Sequence, residues 1–246
     1  MTDFLVFTLY APLSSWGDTA VGEVRSSWDR PSRSAILGIV AAALGLLRTD
    51  QAGHEELDAM CGIGVRIALR GFAFTDYHTA QDPTGVSLRR FKPTTRRAAL
   101  DCADPVTSLS QRTLRQDALS IVALWQRHSS TRSLSELATA MGNPQFVLYA
   151  GRKANVLGLP LGARILAANT LAAALRDVPP LPSEMERLKP RDGWGREVSH
   201  DRCDEFEAGL STTHTVVRRD ARPHRTRWQF AEREVRIGTL TGDYEA

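Results

Sequence analysis

Between Gly85 and Arg97 the chain reads GVSLRRFKPTTRR, which places Arg89, Arg90, Lys92, Arg96 and Arg97 close together with no carboxylate among them. Extended to the interval Ser87–Arg115, the basic set also takes in Arg112 and Arg115 and is opposed only by Asp101 and Asp104. The planar fork of arginine pairs with phosphate oxygens, and its flat face stacks on bases. This density, with arginine favoured over lysine, points to a polyanion rather than to a plain solvated loop.

Two further groups carry the same chemistry. The run VVRRDARPHRTRWQF sets Arg218, Arg219, Arg222, Arg225 and Arg227 among His224, Trp228 and Phe230. Cations between ring faces suit single-stranded nucleic acid. The same composition also guards an edge strand against further pairing. Pro31 to Ser34, flanked by Arg25, Arg30 and Arg33, opens a predicted helix. Free N–H groups and the positive dipole end make a helix start a phosphate site, or the serines there simply cap it.

Catalytic chemistry is less well marked. The six histidines are scattered without metal-ligand spacing, and Cys61, Cys102 and Cys203 form no CxxC pair, so neither a metal nor a cofactor is expected. There is no nucleophile elbow and no GxxxxGKS loop. DYHT puts Tyr77 and His78 beside the cationic stretch, where either could act as general base or acid in metal-independent RNA cleavage. A purely structural role fits them as well.

The elements that must position these residues follow from periodicity. Phe4–Tyr10 is apolar at every alternation, as in a strand covered on both sides. SRSAILGIVAAALGLL reads as a buried helix capped by Ser32 or Ser34. Its Ala35, Gly38, Ala42 and Gly45 share one small-residue face, predicted to lie close on a sheet. A short helix is predicted over His54–Cys61, and a strand over Val65–Arg70 with Val65, Ile67 and Leu69 inward.

Residues 73–112 show no sustained period and read as a functional excursion. Gln116–Trp125 reads as a strand, and SLSELATAMGNP as a helix capped at Ser133 or Ser135. QFVLYAGRK reads as a fourth strand ending on Arg152 and Lys153, and Ala163–Arg176 as a helix. A Pro-rich break precedes two strand-like fragments, THTVVRRD and REVRIGTL. The order predicts an α+β fold with a ferredoxin-like β-α-β-β-α-β domain over 1–178, as in RNA-recognition domains, and a smaller β-rich region over 179–246.

The net charge of +3 and the 42% hydrophobic content are those of an ordinary globular chain. Separated cysteines predict a reducing compartment. The N-terminus lacks a signal-peptide pattern, and the apolar run Ala35–Leu47 is too short to span a bilayer. A cytoplasmic location without membrane contact is expected.

The opening FLVFTLYAPLSSWGDTAVGEVRSSWDRPSRSAILGIVAAALG resembles the start of the CasD family, the small RAMP-superfamily subunits of type I-E CRISPR Cascade surveillance complexes. Ala11-Pro12, Ser15-Trp16-Gly17, Pro31 to Ser34 and Gly45 match its pattern. DYHT, LSQRTLRQDALSIVALW and FVLYAGRK resemble later family segments in the same order, with Thr113 where the family usually has Tyr.

The resemblance implies a non-catalytic subunit that grips the 5′ handle of the CRISPR RNA with a thumb inserted at about 79–111. It also implies a cap on a CasC-like backbone filament, contact with a CasA-like large subunit, and target DNA reached through the assembled complex. RNA backbone contacts are expected at Arg33, Arg89, Arg90, Lys92, Arg96, Arg97, Arg112, Arg152 and Lys153. Trp16 is read as either an anchor of its loop or a stacking partner for a base, with the anchor favoured. Relatives in type I-C systems cut precursor RNA, so a metal-independent endoribonuclease is the alternative. A scaffold whose arginines meet acidic protein faces is a third reading.

Overall fold

A computed structural model of the 246-residue chain describes residues 1–18, 22–101, 105–224 and 229–241. Of the residues named above, Cys102, Asp104, Arg225, Arg227 and Trp228 lie outside the described residues, as do the side chains of Arg222 and His224. The chain forms β1 (Thr2–Ser14), β2 (Val24–Arg25), α1 (Arg33–Ala43), α2 (Gln51–Met60), β3 (Cys61–Leu69), β4 (Phe72–Pro83), α3 (Gly85–Phe91) and α4 (Arg96–Asp101). It continues as β5 (Pro105–Gln126), α5 (Leu134–Gly142), β6 (Arg164–Ala168), α6 (Leu171–Ala174), β7 (Glu197–His200), β8 (Leu210–His224) and β9 (Gln229–Leu240).

One mainly antiparallel sheet runs β6-β1-β5-β3-β7-β9-β8. Only the short β2 pairs in parallel, with β5. The 179–246 region continues this sheet, because β7 pairs with β3 from Gly64 to Arg66. Side chains at alternate positions of the central strands enter two apolar layers. Leu5, Phe7, Leu9, Ile63, Val65, Val122 and Leu124 meet Ile36, Ile39 and Val40 of α1 and Leu137 and Met141 of α5. Phe4, Val6, Leu119, Ile121 and Trp125 face the other way, under Leu171, Leu175 and Phe206. Phe4, Trp125 and Phe206 meet edge to face, with ring centroids 5.0 to 6.3 Å apart. Each large side chain so covered contributes about 1.5–3 kcal/mol.

Several helix starts agree with the sequence. Ser32 Oγ accepts from the Ala35 amide and Ser133 Oγ from the Glu136 amide. Other elements differ. QFVLYAGRK is not a strand: it is a loop held by a single bridge between Tyr149 and Val156. Ala163–Arg176 is not one helix. Its first part is β6, which pairs with β1 from Val6 to Thr2, and Thr170 then caps the four-residue α6. Residues 73–112 are not irregular either. β4 and the first half of β5 pair without a break from Phe72↔Gln116 to Pro83↔Pro105.

This hairpin leaves the sheet at a bend. Gly71 has φ +65, and a Cβ there would lie 2.3 Å from the Gln116 carbonyl oxygen. Asp117, opposite, has φ 54, a left-handed conformation that costs most L residues about 1–2 kcal/mol. Tyr10 donates to Asp117 Oδ1 at 2.8 Å and holds it there. Burial, then this hydrogen bond and the Asp117 charge, push the Tyr10 phenol up to about 12. Its contribution to stability is therefore complete below the unfolded tyrosine value of about 10 and is lost as pH rises from there towards 12. Asp117→Ala is expected to lower unfolding free energy by about 1–2 kcal/mol in denaturant titrations, and Asp117→Asn by much less, because Asn tolerates the same backbone.

Candidate nucleic-acid interface

The hairpin tip owes its shape to two threonines. Thr84 Oγ1 accepts from the Ser87 amide and starts α3, and Thr95 Oγ1 accepts from the Ala98 amide and starts α4. Thr84, just before GVSLRRFKPTTRR, and Thr95, within it, thus supply the N-caps of two short helices. Lys92 ends α3 in a left-handed conformation at φ 43, and Pro93 follows it.

Arg89, Arg90 and Lys92 are exposed, and none has a carboxylate partner among the described residues. The Arg90 guanidinium lies 5.3 Å from the Phe91 ring centroid. Arg96 donates to Asp82 at 3.0 Å and to the Gln81 carbonyl at 2.8 Å, and Arg97 stands 3.8 Å from Asp101. These pairs are exposed. Such pairs contribute about 0–1 kcal/mol and can yield to a phosphate.

A second cationic group lies at the base. β2 brings Arg25 into register beside Arg112. Arg152 and Lys153 arrive on the loop after Tyr149. Gly151, at φ +85, is the residue that lets this loop touch β1, since a Cβ there would lie 1.7 Å from the Ser15 carbonyl oxygen. The Ser15 amide donates to the Ala150 carbonyl at 3.1 Å and fixes the contact. Burial, then the nearby Arg112 charge, lower the Arg152 pKa, with Asp76 acting in the opposite direction. No ion pair neutralises Arg112, Arg152 or Lys153 among the described residues. Two guanidiniums held together in this way favour an anion between them.

Beside this base is a groove of about 970 Å³, lined by Trp16, Arg25, Gly38, Ala42, Phe146 and Arg152 among others. The small-residue face of α1 does not lie on the sheet, as the sequence predicts, but lines this groove. A Cβ on Gly38 would meet nothing within 4 Å. The sheet takes the opposite face, with Ile36 and Val40 fully covered. Trp16 is 4% exposed, and its backbone amide donates to Ser27 Oγ at 3.0 Å, which suits an anchor of the loop.

Arg33 does not join the interface. It is 6% exposed and enters a buried charge network. Its Nη1 donates to Asp201 Oδ2 at 2.5 Å, its Nε to Asp58 at 2.9 Å and its Nη2 to the Cys61 carbonyl at 2.9 Å. Burial opposes its charge, but Asp201 and Asp58 outweigh burial and hold its pKa above the usual value. Arg30 is likewise covered and paired with Asp29 and Glu197. Of the three arginines flanking the helix start, only Arg25 faces the groove. Sequence grouped it with the helix, and a two-residue strand carries no pattern that reveals its place beside Arg112.

The C-terminal run splits in the same way. Arg218 stacks on Trp28 at 3.3 Å from the ring centroid and lies 3.7 Å from Asp18, while Arg219 donates to the Phe230 carbonyl at 3.3 Å. Tyr77 and His78 project to opposite faces of β4, as adjacent strand residues must. His78 contacts Asp76 on the face that carries Arg112, and Tyr77 stands opposite Gln111.

Comparison with known proteins is consistent with this arrangement. The CRISPR system Cascade subunit CasD of Escherichia coli (strain K12) is 26% identical over 199 residues, covering 75% of this chain and 81% of that protein. A solved CRISPR RNA-guided surveillance complex contains a chain of similar fold, with TM-score 0.62 and 24% identity over 96% of this chain and 90% of that one. A crystal structure of a Cas protein aligns with TM-score 0.55 and 23% identity, covering 96% and 94% of the two chains. A model of the family described as CRISPR-associated protein (Cas_Cas5) matches residues 4–236, and the chain belongs to that family.

Proposed function

We propose that this chain is a non-catalytic CRISPR RNA-binding subunit of a type I-E Cascade surveillance complex. In this reading β6-β1-β5-β3, with α1 and α5 on one face, is a ferredoxin-like sheet. The β4–β5 hairpin with α3 and α4 is its thumb, starting at Phe72 rather than near residue 79. The strand order and the antiparallel pairing of each neighbour support it. The thumb and the groove at its base grip the 5′ handle of the guide. The chain caps a CasC-like backbone filament beside a CasA-like large subunit, and target DNA is engaged through the whole particle in the cytoplasm.

The observation that carries the reading is the pairing of two unneutralised cationic groups. Arg89, Arg90 and Lys92 occupy the tip, and Arg25, Arg112, Arg152 and Lys153 occupy the base. An extended single strand laid between them meets charge at both ends and apolar surface in the groove. Tyr77 and His78 stand on opposite faces of β4, so these two do not converge on one phosphate, which favours the non-catalytic reading.

The test is RNA crosslinking within the assembled particle, with purified chain and repeat RNA in chelator run alongside. Crosslinks should fall at 85–97 and around Arg112 and Arg152, and the RNA should remain intact. Crosslinks that avoid both groups would leave a protein scaffold. Cleavage lost on His78→Ala would establish the nuclease instead.

A further inference from the structure

We infer that the outer edge of β4 is a docking rail for an extended strand of another protein. β4 hydrogen-bonds through β5 alone, and from Phe72 to Ala80 no other backbone partner occurs among the described residues. Beyond that point α4 closes the edge, with Arg96 bound to the Gln81 carbonyl and Asp82. Long open edges are pairing templates, and folded proteins normally blunt them with charge, proline, bulges or brevity.

The terminal strands of the main path, β6 and β8, show those defences. β6 has only 5 residues, and β8 carries Arg218 and Arg219 and breaks register three times. Between Phe72 and Ala80 β4 carries a single carboxylate, Asp76, as its only such defence. It has no lysine, no arginine and no proline there, and its register with β5 is unbroken. Instead it exposes Phe72 (76%), Phe74 (46%) and Tyr77 (57%).

The chemistry of the edge selects the occupant. Alternating N–H and C=O groups are complemented by a polypeptide strand. RNA is disfavoured, because outward carbonyls repel phosphate and the edge offers no cation. A second copy is disfavoured as well. Antiparallel self-pairing over the open length from Phe72 to Ala80 sets Asp76 directly against its own copy, and like charges directly opposite destabilise a ladder. The fitting partner is a strand with a Lys or Arg facing Asp76 and apolar side chains at alternate positions facing Phe72 and Phe74. This inference does not depend on RNA binding by the thumb.

Residue-resolved amide exchange tests it in three samples: the chain alone over a range of concentrations, the chain with synthetic handle RNA, and the complex co-expressed with its partner subunits. In the free chain, every second amide from Phe72 to Ala80 should exchange fast, since those N–H groups point away from β5. In the complex these same amides should slow by about 100-fold. RNA alone should leave them fast. Thr75→Lys with Thr79→Lys, both at exposed positions, should weaken incorporation into the complex about tenfold or more while handle RNA affinity does not fall. Amides that stay fast in the complex overturn the inference, as does slowing by RNA alone or slowing that grows with chain concentration.

Discussion

Handle RNA should bind about 30- to 150-fold more weakly at 0.15 M salt when Arg112 and Arg152 are both changed to Ala, on about 1–1.5 kcal/mol per charge-assisted contact. The two guanidiniums are already crowded, and burial is the first cause that lowers the Arg152 pKa. A phosphate placed between them gains both contacts and relieves their mutual repulsion. Binding should also lose about 0.7 from its log–log salt slope, the value for one neutralised phosphate on single-stranded RNA. Removing Arg89, Arg90, Arg96 and Arg97 together should flatten the slope further but cost less affinity per residue. Arg96 and Arg97 must first leave Asp82 and Asp101, and all four side chains lie in water. Isothermal titrations at several salt concentrations measure both quantities. If the base variant binds with unchanged affinity and slope, the grip is not there.

The largest loss of stability is expected on changing Asp201 to Ala. Its carboxylate accepts from Arg33 Nη1 at 2.5 Å, from Arg233 Nη1 at 2.6 Å and from the Ile63 amide at 3.0 Å. Asp220 completes the group by accepting from Arg233 Nε at 2.6 Å and from the Arg33 amide at 2.9 Å. Four charges on α1, β8, β9 and the segment after β7 thus neutralise one another inside the protein. Removing the carboxylate that Arg33 and Arg233 share leaves Arg233 only Asp220 and leaves the buried Arg33 only the half-exposed Asp58, a loss of about 3–5 kcal/mol. At this chain length that lowers the thermal midpoint by about 6–20 °C. Asp58→Ala serves as the control. Its side chain is 44% exposed, so the loss should stay within about 1 kcal/mol. A midpoint that moves equally in both variants would mean that burial is not what gives this network its weight.

Sequence displayed the parts whose burial is one-sided or complete. β1 and the starts of α1 and α5 could be read directly, with the caps narrowed to Ser32 or Ser34 and to Ser133 or Ser135. The hairpin could not. Both faces of β4 are wet, so its side chains need not alternate and the period-2 signal is absent. β6 failed for the opposite reason: RILAANTLAAALR is apolar at helical spacing, yet pairing with β1 decides its first half. FVLYA is apolar throughout, like a covered strand, but makes only the single bridge at Tyr149 before Gly151 turns the chain against Ser15. At the site, the exposed arginines of the tip followed from local density alone. Arg33 was misjudged because its partners, Asp201 and Asp58, are distant in sequence. Arg66 is another case: it lies within an alternating strand but is 1% exposed and donates to the carbonyls of Gly195, Leu175 and Arg176.

β5 is one strand of 22 residues, about 75 Å of nearly extended chain at about 3.4 Å per residue. It enters at the tip of the projecting hairpin and finishes between β1 and β3, with Trp125 at the heart of the protein. The arm is therefore no tethered appendage. Its inner half is the central plank of the body, and Gly71 and Asp117 mark the bend between the two halves. A change at that bend therefore acts on the arm and on the middle of the sheet at once, because both are built from the same strand.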